Sequence, residues 1–258
     1  MKVAVLTSTY QGFASVIIPK LIEKGVEVDQ VIFCEGIDGK KKGGWKRKWR
    51  KVRKIGPLGA LNGIRMRKWY DREPYRILEP KSLPQLSKEY AFALHRTPTA
   101  GSERTRELLE DAEAPVFLSL GNGYIPERIF SIPEDGMLNI HHEILPDFQG
   151  AQSVIWQLYE GNAETGFTIH FVDKRIDQGR ILYQERFPIE FRSRLRDTVV
   201  HNYTRSIERS GRALGKVLED WKGYKAQAWE QGKGKKYTTP TFGEFRRILR
   251  EHEERAKD

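Results

Sequence analysis

The sequence predicts an α/β chain built on a mostly parallel central sheet, with a basic insertion and a helical C-terminal extension. Three observations predict it. The opening VAVLT, the polar turn at residues 7–12, the apolar periodicity of FASVIIPKLIEKG and the run VDQVIFCEG spell strand, loop, helix, strand, the start of a βαβ unit. Polar clusters then follow the apolar runs in LSLGNG and MLNIHH, at strand carboxyl ends, where open α/β sheets bind their ligands. Finally, 258 residues suffice for one large core, or one core with a small appendage.

The elements read in order as follows. MKVAVLTSTY passes from one lysine directly into a β-rich run, so it reads as a first strand and not as a secretory leader, which places the protein in the cytoplasm. The first loop lacks the G-x-G-x-x-G spacing that admits a dinucleotide pyrophosphate, which argues against nicotinamide binding. Gly25 ends the first helix, and Cys34, the single cysteine, is a packed residue of the second strand. A lone cysteine excludes an internal disulfide and a multi-cysteine zinc site.

Residues 38–80 form a basic, aromatic insertion, and residues up to 100 connect it to regular structure, with Pro84 and RTPTAG marking loops. Ser102 caps a helix over ERTRELLEDAE. APVFLSLGNG is a strand and loop, PERIF a short helix, and MLNI a strand delivering Asn139 and His141. A loop over ILPDFQGA, a helix over SVIWQLYEG and strands over GFTIHFV and ILYQERFPI follow, with DKRIDQGR between the strands. A long amphipathic helix begins near Asp197, and RRILREHEERAKD reads as a solvated helix or frayed tail. The expected division is residues 1–190 as the catalytic part and 191–258 as the helical extension.

The formal charge is +10, yet it is local. Residues 40–54, KKKGGWKRKWRKVRK, hold ten Lys/Arg and no acid, and the remaining 35 basic residues balance the 35 acidic ones. Trp45, Trp49 and Val52 recur at i, i+4 and i+7, so a helix there sets an aromatic stripe beside a cationic face. Such a segment favours anionic partners: a membrane surface, a nucleotide diphosphate or RNA. The alternative is a solvated charged segment whose tryptophans cover the core.

Two short motifs carry the chemistry. Transfer of an acyl-like carbon to an amine develops an oxyanion, which needs a hydrogen-bond donor, and moves a proton, which needs a group titrating near neutrality. Asn139 suits the first task, His141 the second, and a carboxylate at Asp177 would orient and support the imidazole. The stretch LSLGNGYIPERIFSIPEDGMLNIHHEILPDFQGA, with Asn139-Ile140-His141, and FTIHFVDKRIDQGRIL, with Asp177-Gln178-Gly179, together resemble the folate-dependent formyltransferase family. The family's Asn-x-His and Asp-x-Gly stand a similar distance apart, 38 residues here. The resemblance covers residues 1–34 and 114–187.

The resemblance implies a Rossmann-like formyltransferase domain, 10-formyltetrahydrofolate as formyl donor, and catalysis by Asn139, His141 and Asp177. It assigns the folate to Leu120, Gly121, Asn122, Gly123, Tyr124 and Ile125 and to Asp173, Arg175 and Ile176, largely through backbone groups. The amine is expected across Tyr10, Gln11 and Gly12, with His142, Gln149 and Gly150 alongside. Tandem His141-His142 plus His170 lack a metal-binding spacing, so no metal is expected.

Departures from the family pattern narrow the acceptor. Gln149 replaces a usual arginine before Gly150, and no second β-domain follows, which points away from methionyl-tRNA. His141-His142-Glu143 replaces His-Pro-Ser, and Glu143 is either a partner for a cationic amine or a solvent-facing loop residue. The expected acceptor is a phosphate-bearing small amine, a nucleotide-linked amino sugar first and glycinamide ribonucleotide or another small amine second. A different class remains open: a non-catalytic nucleic-acid or membrane-surface binder on the same fold. Peripheral membrane contact through residues 40–54 and a homodimer are further expectations.

Overall fold

The computed structural model describes residues 1–36, 44–150 and 152–257, with only the backbone described at 44–48, 50 and 51. Strands β1 (Lys2–Thr7), β2 (Glu27–Gly36), β3 (Ala93–Thr99), β4 (Val116–Ser119), β5 (Met137–His141), β6 (Glu164–Phe171) and β7 (Ile181–Pro188) form one sheet in the order β3-β2-β1-β4-β5-β6-β7. The pairs from β3 to β5 are parallel, while β6 and β7 run antiparallel to their neighbours. The described helices are α1 (Phe13–Glu23), α2 (Gly44–Asp71), α3 (Glu73–Leu78), α4 (Leu83–Tyr90), α5 (Glu103–Glu110), α6 (Glu127–Phe130), α7 (Ile155–Tyr159), α8 (Leu195–Glu219), α9 (Trp221–Gln227) and α10 (Phe242–Arg255).

Strand alternation sorts the core onto two faces. Val3 and Val5 of β1 pack with Ile17 and Leu21 of α1 and Leu214 and Val217 of α8. Ala4 and Leu6 face the other way, onto Leu108 and Leu109 of α5 and Ile129 of α6. A third cluster joins Met66 and Trp69 of α2, Ile155 and Trp156 of α7, Val199 of α8, and Phe245 and Ile248 of α10. The insertion and the chain end therefore share one apolar core beside the sheet.

The helix expected from the Trp45, Trp49 and Val52 spacing is the first part of α2, whereas residues 40–43 and the side chain of Trp45 lie outside the described residues. α2 is interrupted at Gly56, whose φ of 76° is a conformation that side-chain-bearing residues seldom adopt, and Pro57 restarts it. Ser102 caps α5 as expected, accepting from the Thr105 amide at 3.3 Å. Cys34 is buried in β2, as read from its sequence context.

Two expectations need correction. The segment expected as loops around RTPTAG contains β3, an edge strand whose mixed burial and internal Pro98 hide its identity; an edge position tolerates a missing amide donor. The charged terminal stretch is neither solvated throughout nor frayed. Phe245, Ile248 and His252 bury one face of α10, and His252 Nε2 meets Thr198 Oγ1 at 2.8 Å. Ile248→Ala is therefore expected to lower the unfolding free energy by about 2–5 kcal/mol in urea titration, against a few tenths for a solvated helix.

Candidate active site

β5 presents Asn139 and His141 two residues apart, hence on the same side of the sheet, near its carboxyl end. The antiparallel β5–β6 register sets His170 directly across from Asn139. His170 donates through Nδ1 to the Phe171 carbonyl (2.8 Å), so its Nε2 accepts from the Asn139 amide nitrogen (3.2 Å). That contact fixes which end of the Asn139 amide is NH₂, and one of its two hydrogens stays available.

The turn between β6 and β7 brings in Asp177. Gly179 backs onto the Phe171 carbonyl so closely that an added Cβ would collide with it, which is why the third position of Asp-Gln-Gly carries no side chain. Asp177 itself adopts a φ of 55°, a region that Asp tolerates better than most residues. Its carboxylate accepts from the Gly150 amide (3.2 Å) and stands 3.8 Å from His141 Nδ1 and 4.0 Å from His170 Nε2. His141 donates through Nε2 to the Phe148 carbonyl at 2.9 Å, leaving Nδ1 toward Asp177. Three groups distant in sequence thus meet at one place.

They line a cavity of about 540 Å³ with two unlike walls. One wall comes from two loops: Gly121 to Ile125 after β4, and Asp173, Arg175 and Ile176 before Asp177. Gly121 takes a φ of 79°, and Asn122 ties the loop down by donating to the Leu6 carbonyl (2.7 Å) while accepting from Ser8 (2.8 Å). The other wall comes from Phe13, from Arg67, Tyr70 and Asp71 of α2, from His142 and Gln152, and from Tyr203 of α8.

Several expected residues stand elsewhere. Leu120 is buried beneath the cavity. Tyr10, Gln11 and Gly12 are outside the lining: Tyr10 packs against Phe33 and Arg96, Gln11 gives its amide to the Pro80 carbonyl at 2.6 Å, and Gly12 abuts the Thr9 side chain ahead of α1. Gln149 and Gly150 brace the site from behind, Gly150 through Asp177. Glu143 fits neither of its expected roles. It is 1% exposed, accepts from the Val154 amide (3.0 Å) and from Gln157, and so holds the start of α7, where β-branched Val154 sits at a strained φ of 70°.

His142 is wedged edge-on between Phe13 and Tyr203, with ring centroids 4.8 and 4.9 Å away, and its Nδ1 meets Ser206 Oγ at 2.9 Å. Its buried Nε2 has no partner among the described residues. Burial pushes the His142 ring down to about 3, with the neighbouring His141 charge adding to the effect. His170 is lowered to about 4, again chiefly by burial. Among the described residues no group of three or more His, Cys, Asp or Glu side chains is arranged to hold a metal ion.

Comparison with known proteins bears on this geometry. Residues 102–218 match the sequence pattern of the family described as Formyl transferase, and this stretch contains Asn139, His141, His170 and Asp177. A methionyl-tRNA formyltransferase of Idiomarina loihiensis is 28% identical over 155 residues, 59% of this chain and 48% of that protein. A GDP-perosamine N-formyltransferase of Brucella melitensis is 32% identical over 123 residues, 47% of this chain and 46% of that protein. The chain thus spans about half the length of these curated relatives.

Solved formyltransferases share the fold. An N-formyltransferase from Helicobacter canadensis superposes with a TM-score of 0.57 at 16% identity, covering 98% of this chain and 80% of that one. A phosphoribosylglycinamide formyltransferase from Bacillus halodurans gives 0.55 at 18% identity, covering 86% and 97%.

The formyltransferase segment is buttressed by residues beyond its end. Between α9 and α10 the chain runs back across both loops: the Gln149 amide donates to the Lys235 carbonyl (3.0 Å), the Tyr237 amide donates to the Gln149 carbonyl (2.9 Å), and Gln231 donates to the Gly179 carbonyl (2.6 Å). Tyr237 also stacks on Phe148, whose carbonyl holds His141.

Because both buried histidines have folded-state pKa values below their unfolded value of about 6.5, each contributes stability that is present above that pH and lost as pH falls toward its folded value. His142→Gln should therefore flatten the fall in unfolding free energy between pH about 6 and about 5 by about 1.4 kcal/mol per pH unit. In an NMR titration of the wild type, neither the His142 nor the His170 ring is expected to show a protonation step above pH about 5.

Proposed function

We propose that the protein transfers a formyl group from 10-formyltetrahydrofolate to the primary amine of a nucleotide-linked amino sugar. The single observation that carries the reaction type is the meeting of Asn139, His141 and Asp177 at one cavity within a formyltransferase-family segment. In this reading residues 1–190 carry the chemistry, and residues 191–258 are a helical extension whose α8 and α10 brace it.

Each side chain has one task. The Asn139 hydrogen left over from His170 meets the formyl oxygen as negative charge gathers there. The lone pair at His141 Nδ1 takes the proton released by the attacking amine, since Nε2–H is committed to Phe148, and that proton passes to the folate nitrogen as its bond to the formyl carbon breaks. Asp177 then faces the imidazolium across 3.8 Å. The folate is assigned to the wall formed by the loop after β4 and the turn before Asp177, where the positive φ of Gly121 shapes the loop.

The acceptor is assigned to the opposite wall. Rings of Tyr70, Tyr203 and Phe13 offer apolar faces, while Asp71 and Arg67 offer polar ends, a combination suited to a hydroxylated ring carrying an anionic substituent. The Helicobacter canadensis enzyme was solved in complex with folinic acid and dTDP-3-aminofucose, and the Brucella relative acts on GDP-perosamine, which supports an amino sugar here.

The test is incubation with 10-formyltetrahydrofolate and a panel of aminosugar nucleotides, glycinamide ribonucleotide and simple amines, scored by mass spectrometry for the gain of one carbon monoxide unit. Formylation of an aminosugar nucleotide is expected, and no product from any amine would defeat the proposal. Asn139→Ala and His141→Ala should each lower kcat by about 10²–10⁴-fold. Asp71→Ala should instead raise the acceptor KM about tenfold while folate affinity, measured by calorimetry, stays unchanged.

A further inference from the structure

We propose that the outer face of α2 docks the protein onto an anionic lipid bilayer. Leu58, Leu61 and Ile64 are each more than half exposed, at 52%, 62% and 60%, and all three belong to the part of α2 that follows the break at Gly56; Trp49, 51% exposed, stands before that break. Leu58, Leu61, Arg65 and Lys68 follow an i, i+3, i+7, i+10 spacing, which places them on one side, with Ile64 adjoining. Met66 and Trp69 of the same helix turn into the core, while Leu58, Leu61 and Ile64 remain outside every core cluster of the described residues.

Charge singles out the occupant. From residue 40 to residue 70 the chain holds thirteen Lys/Arg and no Asp or Glu. Arg53, Lys54, Arg65 and Lys68 are exposed and join no ion pair among the described residues. A second copy of this chain is disfavoured, because a two-fold contact through α2 would set these cations against their own symmetry mates. Nucleic acid would use the charge but leave Leu58, Leu61 and Ile64 in water. A bilayer with acidic headgroups satisfies both: the aliphatic side chains enter the acyl boundary while the lysines and arginines meet phosphate and carboxylate groups. The helix lies on the surface in this arrangement, since among the described residues no helix is long and apolar enough to cross a membrane.

The test is flotation of the full chain with phosphatidylcholine vesicles, with and without a quarter of phosphatidylserine. Binding to the mixed vesicles alone is expected, weakened about five-fold per charge in Arg65→Glu and Lys68→Glu. Leu61→Ser/Ile64→Ser should weaken it at least about tenfold, with an unchanged circular-dichroism melting curve showing that the fold survives. No residue changed here lines the cavity, and the readout needs neither folate nor acceptor, so it is independent of the proposed reaction. Absence of vesicle binding would overturn the proposal. So would binding insensitive to the serine changes, or single-stranded RNA displacing the vesicles while binding equally well to the serine variant, because either result leaves charge as the sole determinant.

Discussion

The whole site depends on the register between β5 and β6. Sliding β6 by one residue would turn His170 to the far side of the sheet, strip Asn139 of the acceptor that orients its amide, and carry the Asp177 turn away from His141. Nothing in the three side chains themselves holds them together, since the nearest approach of His141 to Asp177 is longer than a hydrogen bond. Main chain does that work: the Phe148 carbonyl on His141, the Gly150 amide on Asp177, and the Gly179 backbone pressed on Phe171. Preorganisation of this kind lets the site keep its geometry without a direct bond between His141 and Asp177.

Much of this was legible in the sequence because it rests on local rules. The βαβ opening, the Ser102 cap, the burial of Cys34 and the delivery of Asn139 and His141 by one strand all follow from periodicity and turn chemistry. The remainder depends on distant pairing. His170 reads as an ordinary strand residue until its partner strand is known, and Arg67, Tyr70, Asp71 and Tyr203 reach the cavity only because α2 and α8 share a core with α7 and α10. β3 escaped because an edge strand buries too little to alternate cleanly. Tyr10 and Gln11 follow a different logic: a polar loop after the first strand suggests ligand contact, and in the fold these side chains meet Arg96 and the Pro80 carbonyl.

The departure from His-Pro-Ser has a structural meaning. Glu143 is buried as the anchor of α7, while His142 is a half-buried wedge between Phe13 and Tyr203 in the cavity lining. Burial raises the Glu143 carboxyl well above its ordinary value, so the anchor favours the uncharged acid. The aromatic wall and the turn into α7 thus each rest on one of the two residues that follow Asn139-Ile140-His141.

The return of the chain over Gln149 has an implication for how such sites drift. Its bonds to Gln149 run from the Lys235 carbonyl and the Tyr237 amide, groups that almost every amino acid supplies. Selection acting on them would leave little trace in the identities at those positions, so the tail could diverge beyond recognition while its function as a clasp persisted. A stretch beyond the family pattern then keeps its place through backbone geometry alone.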